Sequence, residues 1–516
     1  MRIILKTGLP ILIVVIFVFL PFLANSDLLL NRNNDLTEFF WPLFYYLKQN
    51  LILNQQIPST NQLWFAGTPL LSDPQNPIWY IPNLIFLTLS IDQAIVASLF
   101  AHCLFGAIGI FFLSKKVFRF SLRTNILITA LFILSPVFFS FLEAGHWGLA
   151  IAWNWLPYFL LSAYTIATKP TWKMILLFAT SASSLYFNHI LTAIVVAIPV
   201  GIFWLVKRKF KYTFLAAGLA FILILPAFYY QMSWQGQTTR QLLLNSPETF
   251  PIWRGKSDFL KTLFIFNPAT EKAITFGIVP SLIAFLGFLK LKLRNKLLLL
   301  LLFLILSLII LNNVSPLYQI LIKFKPFVLM RVAIRVWPIA FFPLLFLFGK
   351  EIDKLPNKVG LILGSLAIIN SALISYSYLT KPVFSRENIP QQIYEIFEKD
   401  KSDYRVFCLT RCIPQKEAAI RNLKLVEGYG TLQEKEYFEK MQQALNSKWD
   451  KYTLSVPPFD VYLYQKPQPN AKILSELGTK YVISKYELID TSFLKLKELD
   501  GYIVYKNNLF NPYIKQ

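Results

Sequence analysis

Two acids one helical turn apart, Asp35 and Glu38, open the stretch NNDLTEFFWPLFYYLKQNLILNQQIPSTNQLWFAGTPLLSDPQNPIWYIP from Asn33 to Pro82, directly after an apolar run from Ile3 to Leu30. A carboxylate in that place suits the removal of a proton from an attacking hydroxyl. Other candidates lie along the chain: Asp73 in the same long loop, Glu143 and His146 in one short turn, and His189 after Asn188 at a tip between apolar runs. Positive charge enters from KFKPFVLMRVAIRVWP, which carries Lys323, Lys325, Arg331 and Arg335. Arg331 and Arg335 are four apart, the spacing of one helical face. Guanidinium groups there suit a phosphate or pyrophosphate, which they bind in a bidentate fork. A carboxylate that accepts a proton and cations that stabilise a departing phosphate make the chemistry of group transfer from a phosphate-linked carrier.

Each residue also has a plainer use. Asp35 and Glu38 suit the solvated first turn of an interfacial helix, where acids favour the dipole. His146 suits a helix cap, and Asp73 lies in Ser-Asp-Pro, an ordinary turn sequence. His102, beside Cys103 in mid-span, reads as a hydrogen bonder between packed helices. Snorkelling to lipid headgroups accounts for the Arg pair as well. Phe39, Trp41, Trp64 and Trp79 suit sugar stacking, a lipid groove or simple interfacial anchoring.

The elements that must hold these residues follow from composition. Of 516 residues, 55% are hydrophobic and 15% charged, and mean hydropathy is +0.49. Such a chain is a polytopic α-helical membrane protein. Net charge is +23, carried in short knots (Lys115–Arg123, Lys207–Lys211, Lys290–Lys296, Lys350–Lys358) that alternate with apolar runs. That is the positive-inside pattern, and it argues against nucleic acid, which needs basic groups gathered on one folded face. Placing the knots inside gives about eleven spans: 3–30, 90–113, 124–142, 148–168, 173–187, 190–206, 212–230, 274–289, 297–312, 333–349 and 359–379. The first run lacks a clear cleavage site and is taken as a retained span. The N-terminus then lies inside, Trp79–Leu89 is re-entrant or interfacial, and the chain sits in the plasma membrane as a multi-pass protein. Acids before residue 380, apart from Glu351 and Asp353, fall at or near the outer face. Ionisable groups so close to hydrocarbon are costly and point to function.

Residues 1–379 thus form a transmembrane domain with a large first outer loop at 31–89. Residues 380–516 form an extracytoplasmic α/β domain, with strand-like pieces at Tyr404–Leu409, Lys480–Ser484 and Gly501–Tyr505 and helix-like ones at Pro390–Lys399, Gln433–Asn446 and Ala471–Leu477. Cys408 and Cys412 suit either a disulfide or two thiols.

Four strings carry a family resemblance: FAGTPLLSDPQNPIWYIPNLI in the loop, GHWGLAIAWNWLPYFLL, RVAIRVW, and the tail VEGYGTLQEKEYFEKM followed by LSELGTKYVISKYEL. Together they resemble the YfhO-like membrane proteins, relatives of the GT-C glycosyltransferases. The resemblance implies a GT-C-like membrane fold and sugar transfer from a polyprenyl-phosphate donor to a lipid, cell-surface polymer or protein acceptor on the outer face. It implies Asp35 as the acid that activates the acceptor, with Glu38 in reserve. Arg331 and Arg335 would then clamp the donor phosphate, and His146 or His189 would position it. The loop has no Asp-x-Asp pair, so a divalent metal stays open without a ligand motif. Two other readings stand beside this one: a flippase for lipid-linked saccharide, which would show repeat symmetry, and a non-catalytic scaffold that binds a surface polymer.

Overall fold

The computed structural model describes residues 2–245, 259–260, 262, 273–324, 332–381, 387–451 and 453–511. By packing, the chain divides into two compact units: the first is Met1–Asn34, Trp79–Phe228 and Glu248–Val383, and the second is Asp35–Ile78, Tyr229–Pro247 and Phe384–Gln516. The sequence reading kept the loop 31–89 with the transmembrane part. In the structure, Asp35–Ile78 clusters with the C-terminal region instead.

Helices make the first unit. Among the described residues six helices are long and apolar enough to cross a membrane: Ile91–Phe118, Leu122–Ala144, Ile190–Lys207, Phe210–Gln235, Leu293–Ile310 and Asn357–Leu379. The eleven expected stretches all carry helix, but not all as single rods. The expected span 124–142 is two helices, Leu122–Ile133 and Pro136–Ala144, because Pro136 cannot continue the first and starts the second instead. Helix Arg2–Ala24 ends before a separate turn, Asp27–Leu30. Helix Trp147–Thr168 is the centre of the unit, packed against Ile91–Leu113 and Trp172–Asn188, and Trp153 lies fully buried in it, stacked 5.2 Å from Phe132. The opposite holds for Leu293–Ile310, where only 11% of the apolar window is buried. Exposed leucines over so long a face need lipid as their solvent.

At one end of these helices the basic loops are tied down. The Asp353 carboxylate accepts from the Ser121 N–H (3.0 Å), Thr124 Oγ1 (2.7 Å) and Ser121 Oγ. Burial pushes this carboxyl up, but those bonds and nearby Arg123 outweigh it and hold it below the usual carboxylate range. Residues Trp79–Leu89 form short turns rather than a rod, Ile81–Leu84 and Ile85–Thr88. A buried chain fixes them: Trp155 Nε1 donates to the Tyr80 hydroxyl (2.7 Å), which bonds His102 Nε2 (2.7 Å), while His102 Nδ1 faces the Ser98 carbonyl (2.7 Å). His102 is thus the packing hydrogen bonder that its position suggests.

The second unit holds a four-stranded sheet in the order β3-β6-β8-β7, where β3 is Arg405–Cys408, β6 Thr479–Ser484, β7 Phe493–Leu499 and β8 Tyr502–Asn507. Strands β3 and β6 run parallel; the β7–β8 hairpin turns on Asp500 and Gly501, both at positive φ, as Asp-Gly hairpins do. Its core gathers Ile393, Phe397, Val406, Ile483 and Val504. Strands β3, β6 and β8 and helices Gln391–Lys399, Lys435–Ala444 and Ala471–Glu476 lie where the alternation of the sequence put them. Strand β7 lies outside the strand-like pieces expected: FLKLKEL alternates leucine with charge, but Leu494 and Leu496 are exposed on an edge blunted by lysines. Two short pairs, β1–β2 (Thr60–Asn61 with Thr68–Pro69) and β4–β5 (Gly428–Tyr429 with Ser455–Val456), complete the strands described. Cys408 and Cys412 are joined as a disulfide.

Candidate functional site

In the second unit the long loop and the C-terminal tail are one folded object. The loop turns back at Phe65 and Ala66, both at positive φ, a backbone that persists only where neighbours determine it. The neighbours are backbone bonds: Phe65 N–H to Glu427 O (3.2 Å), Ala66 N–H to Leu425 O (3.2 Å) and Leu425 N–H to Leu63 O (2.9 Å). Gly428 is required here, since a Cβ would stand 2.9 Å from both Phe65 and Trp64. The motif strings FAGTP and VEGYG therefore meet in space.

Asp35 precedes a single π-helical turn, Leu36–Phe40, in which Glu38 is 8% exposed. The Tyr429 hydroxyl donates to Asp35 Oδ1 at 2.5 Å. Gln415 spans the same place: its Nε2 donates to Glu38 O (2.7 Å) and its Oε1 accepts the Tyr429 N–H. Arg411 lies with its Cζ 5.7 Å from the Tyr429 ring centre and donates to Ser455 Oγ (2.8 Å), the residue paired with Tyr429 across β4–β5. Burial works against the Arg411 charge and lowers it from its ordinary value, with Tyr462 and Glu427 offsetting. A desolvated cation over a phenol ring and a carboxylate on its hydroxyl form a polarised row, Arg411 to Tyr429 to Asp35. Near it, Lys416 sits 4.6 Å over the Trp41 ring.

Asp73 also belongs to this unit but serves a turn. Its Oδ1 accepts the Gln75 N–H (2.8 Å), its carbonyl accepts the Asn76 N–H (3.0 Å), and burial pushes its carboxyl up to about 6.

The remaining candidates lie in the first unit. His189 starts helix Ile190–Lys207, taking the Thr192 N–H on Nδ1 (3.1 Å), and its Nε2 is 3.3 Å from Arg335 Nη1. These two, 146 residues apart, are brought together. Gly148 allows this tip its shape: a Cβ there would be 2.1 Å from Asn188 O. Arg335 lies in a 3-10 turn, Ala333–Val336, and the helix begins only at Pro338. The α-helical spacing assumed for the Arg pair is therefore corrected at Arg335, because a proline at the first helical position marks a start. Arg331 lies outside the described residues, as do Lys325, Glu248, Asp258 and Glu271. Glu143 pairs with Lys381 (3.4 Å), and its carbonyl accepts from Asn34 Nδ2 (2.8 Å). Burial draws the Lys381 ammonium down, and Glu143 partly restores it. His146 is buried at the start of helix Trp147–Thr168, after the left-handed Gly145. Among the described residues no three His, Cys, Asp or Glu groups gather as metal ligands would.

Solved structures share this fold. The chain superposes on the cryo-EM structure of the arabinofuranosyltransferase AftD from mycobacteria with a TM-score of 0.55, at 11% identity, over 97% of its own length. A mutant form of the same protein gives a TM-score of 0.58, also at 11% identity and over 97% of the chain. The likeness is one of fold, and this chain spans only 40% and 41% of those proteins. No protein-family model and no curated protein sequence matches the chain. The YfhO-like resemblance rests on the sequence strings alone.

Three residues around Asp35 escaped the sequence reading: Tyr429, Arg411 and Gln415. Tyr429 stands in the quoted VEGYG string, but nothing local ties it to a loop 394 positions away. Arg411 is presented by the loop that the Cys408–Cys412 disulfide closes, and an acid-poor CLTRCIPQ gives no sign of that.

Proposed function

We propose that this chain is a GT-C-type membrane glycosyltransferase that moves a sugar from a polyprenyl-phosphate donor to a lipid, cell-surface polymer or protein acceptor at the outer face of the plasma membrane. The observation that carries the reading is the AftD-like fold over 97% of the chain, which takes in the helical unit together with the loop and C-terminal unit. Asp35 is the base. It takes the acceptor hydroxyl proton as the acceptor oxygen bonds the anomeric carbon and the carbon–phosphate oxygen bond breaks. Arg335, with Arg331, stabilises the charge on the departing phosphate, and His189 adds a second polar group beside Arg335. Glu38 is the reserve base. Basic knots on the cytoplasmic side set the orientation, with the N-terminus inside and the region after residue 380 outside. A divalent ion, if used, would be shared with the donor phosphate rather than held by a dedicated cage of the described residues.

The test is transfer by the purified protein, in detergent or liposomes, from a panel of polyprenyl-phosphate sugars with and without added Mg²⁺ or Mn²⁺. Release of the free lipid phosphate with sugar on an acceptor is the expected result. Transport of an intact lipid-linked saccharide across the liposome, with no glycosidic bond made, would replace this reading with the flippase.

A further inference from the structure

We infer that Tyr429, backed by Arg411, is the positioning residue for the Asp35 carboxylate, so that the C-terminal region supplies part of the reaction centre. The inference rests on the reading of Asp35 as the base. Asp35 is the N-cap residue of a short π-helical turn, and its side chain makes no cap bond to that turn. A donor 2.5 Å from Oδ1 selects one carboxylate orientation, and a base must be held within a fraction of an ångström of its working geometry.

The donor is itself fixed from three sides. Its backbone pairs with Ser455, its N–H bonds Gln415 Oε1, and Gln415 Nε2 reaches the Glu38 carbonyl one turn from Asp35 (2.7 Å). Arg411 closes the arrangement by touching both members of the β4–β5 pair: its Cζ lies 5.7 Å from the Tyr429 ring centre, and its Nη1 bonds Ser455 Oγ (2.8 Å). A cation on the ring face also makes the phenol O–H a stronger donor to a carboxylate. A purely structural tyrosine would need no such cation, and its hydroxyl would gain equally from a carbonyl.

The experiment is steady-state transfer with the polyprenyl-phosphate sugar found active in the panel, on full-length protein that elutes as a single peak. Tyr429→Phe keeps the ring and removes only the donor. Its kcat falls about ten- to a hundredfold, the weight of one hydrogen bond to a charged group, while KM for the lipid donor changes less than about twofold. In an Asp35→Asn background the same change has no further effect on the residual rate, since the group it positions is gone. Arg411→Lys retains most of the rate and Arg411→Ala loses about tenfold, an arm that stands even if Tyr429→Phe does not fold. Wild-type kcat in Tyr429→Phe, or an equal loss in both backgrounds, overturns the positioning role and leaves Asp35 as the base. A wild-type rate in Asp35→Asn alone overturns the base and the positioning role together.

Discussion

The two polar clusters are built in opposite ways. In the helical unit the polar groups sit at helix ends and are held largely by close neighbours: His189 by Thr192, and His146 by the turn that Gly145 makes. Among the described residues its long-range candidate pairs include His189 with Arg335 and Glu143 with Lys381. In the second unit nearly every contact around Asp35 crosses the sequence, to Tyr429 at a separation of 394 and from Gln415 to Glu38 at 377. The difference teaches that helix-end groups are positioned by the rods that carry them, whereas the acid depends on two distant segments folding on each other. Damage to the first cluster should stay local, and damage to the second should be lost wholesale.

The strongest way to break that contrast is Asp35→Asn. It keeps shape and hydrogen bonding but removes the proton acceptor, so turnover falls about 10²–10⁴-fold with donor binding retained. Single-turnover assays with separate lipid-donor binding measure both; undiminished turnover moves the base to Glu38. Arg335→Ala comes next, with about a 10–100-fold loss shared between kcat and donor KM, because phosphate is held in ground and transition states alike. If KM stayed fixed while only folding yield dropped, Arg335 would be a partner for His189 and no more. Gly148→Ala tests the local cluster: a methyl aimed at Asn188 O forces the two helices apart. Thermal unfolding in detergent should show a loss of about 1–3 kcal/mol, with the Asp35 side of the molecule unaffected.

The smallest effect concerns Asp73. Burial raises its carboxyl to about 6 from an ordinary 3.8, so the folded state holds its proton more tightly than the unfolded one. The stability from that proton is complete below about pH 4 and is lost as pH rises through about 6. Asp73→Asn keeps the acceptor for the Gln75 N–H and removes the titration. The variant should therefore be the more stable above pH 6, by about 1 kcal/mol after allowing for partial exposure. A Tm difference that is the same at pH 4.5 and pH 7.5 would show that the turn, and not the charge, sets the cost.

Legibility followed the range of the forces. Helices on all eleven apolar stretches, and the strands and helices of the tail, could be read because apolar length and alternation are local signals. The break at Ser135 and Pro136 was not read, although proline marks it: the expected span ran unbroken over 124–142. The 3-10 turn holding Arg335 and the edge strand β7 were not read: the first lies in an apolar run that looks helical, and the second alternates leucine with charge but leaves its leucines exposed at an edge.

By itself the sequence determined that this is a membrane-embedded helical chain, where its basic knots fall and which acids and cations are available for chemistry. These follow from transfer energies that each segment meets alone. Only the tertiary structure decided which of those groups meet. Glu143 is engaged by Lys381, while Asp35 receives Tyr429 and Arg335 meets His189. Those pairings arise when loops of hundreds of residues close around buried aromatic and glycine contacts, and a closure of that kind leaves no periodicity for a sequence to display.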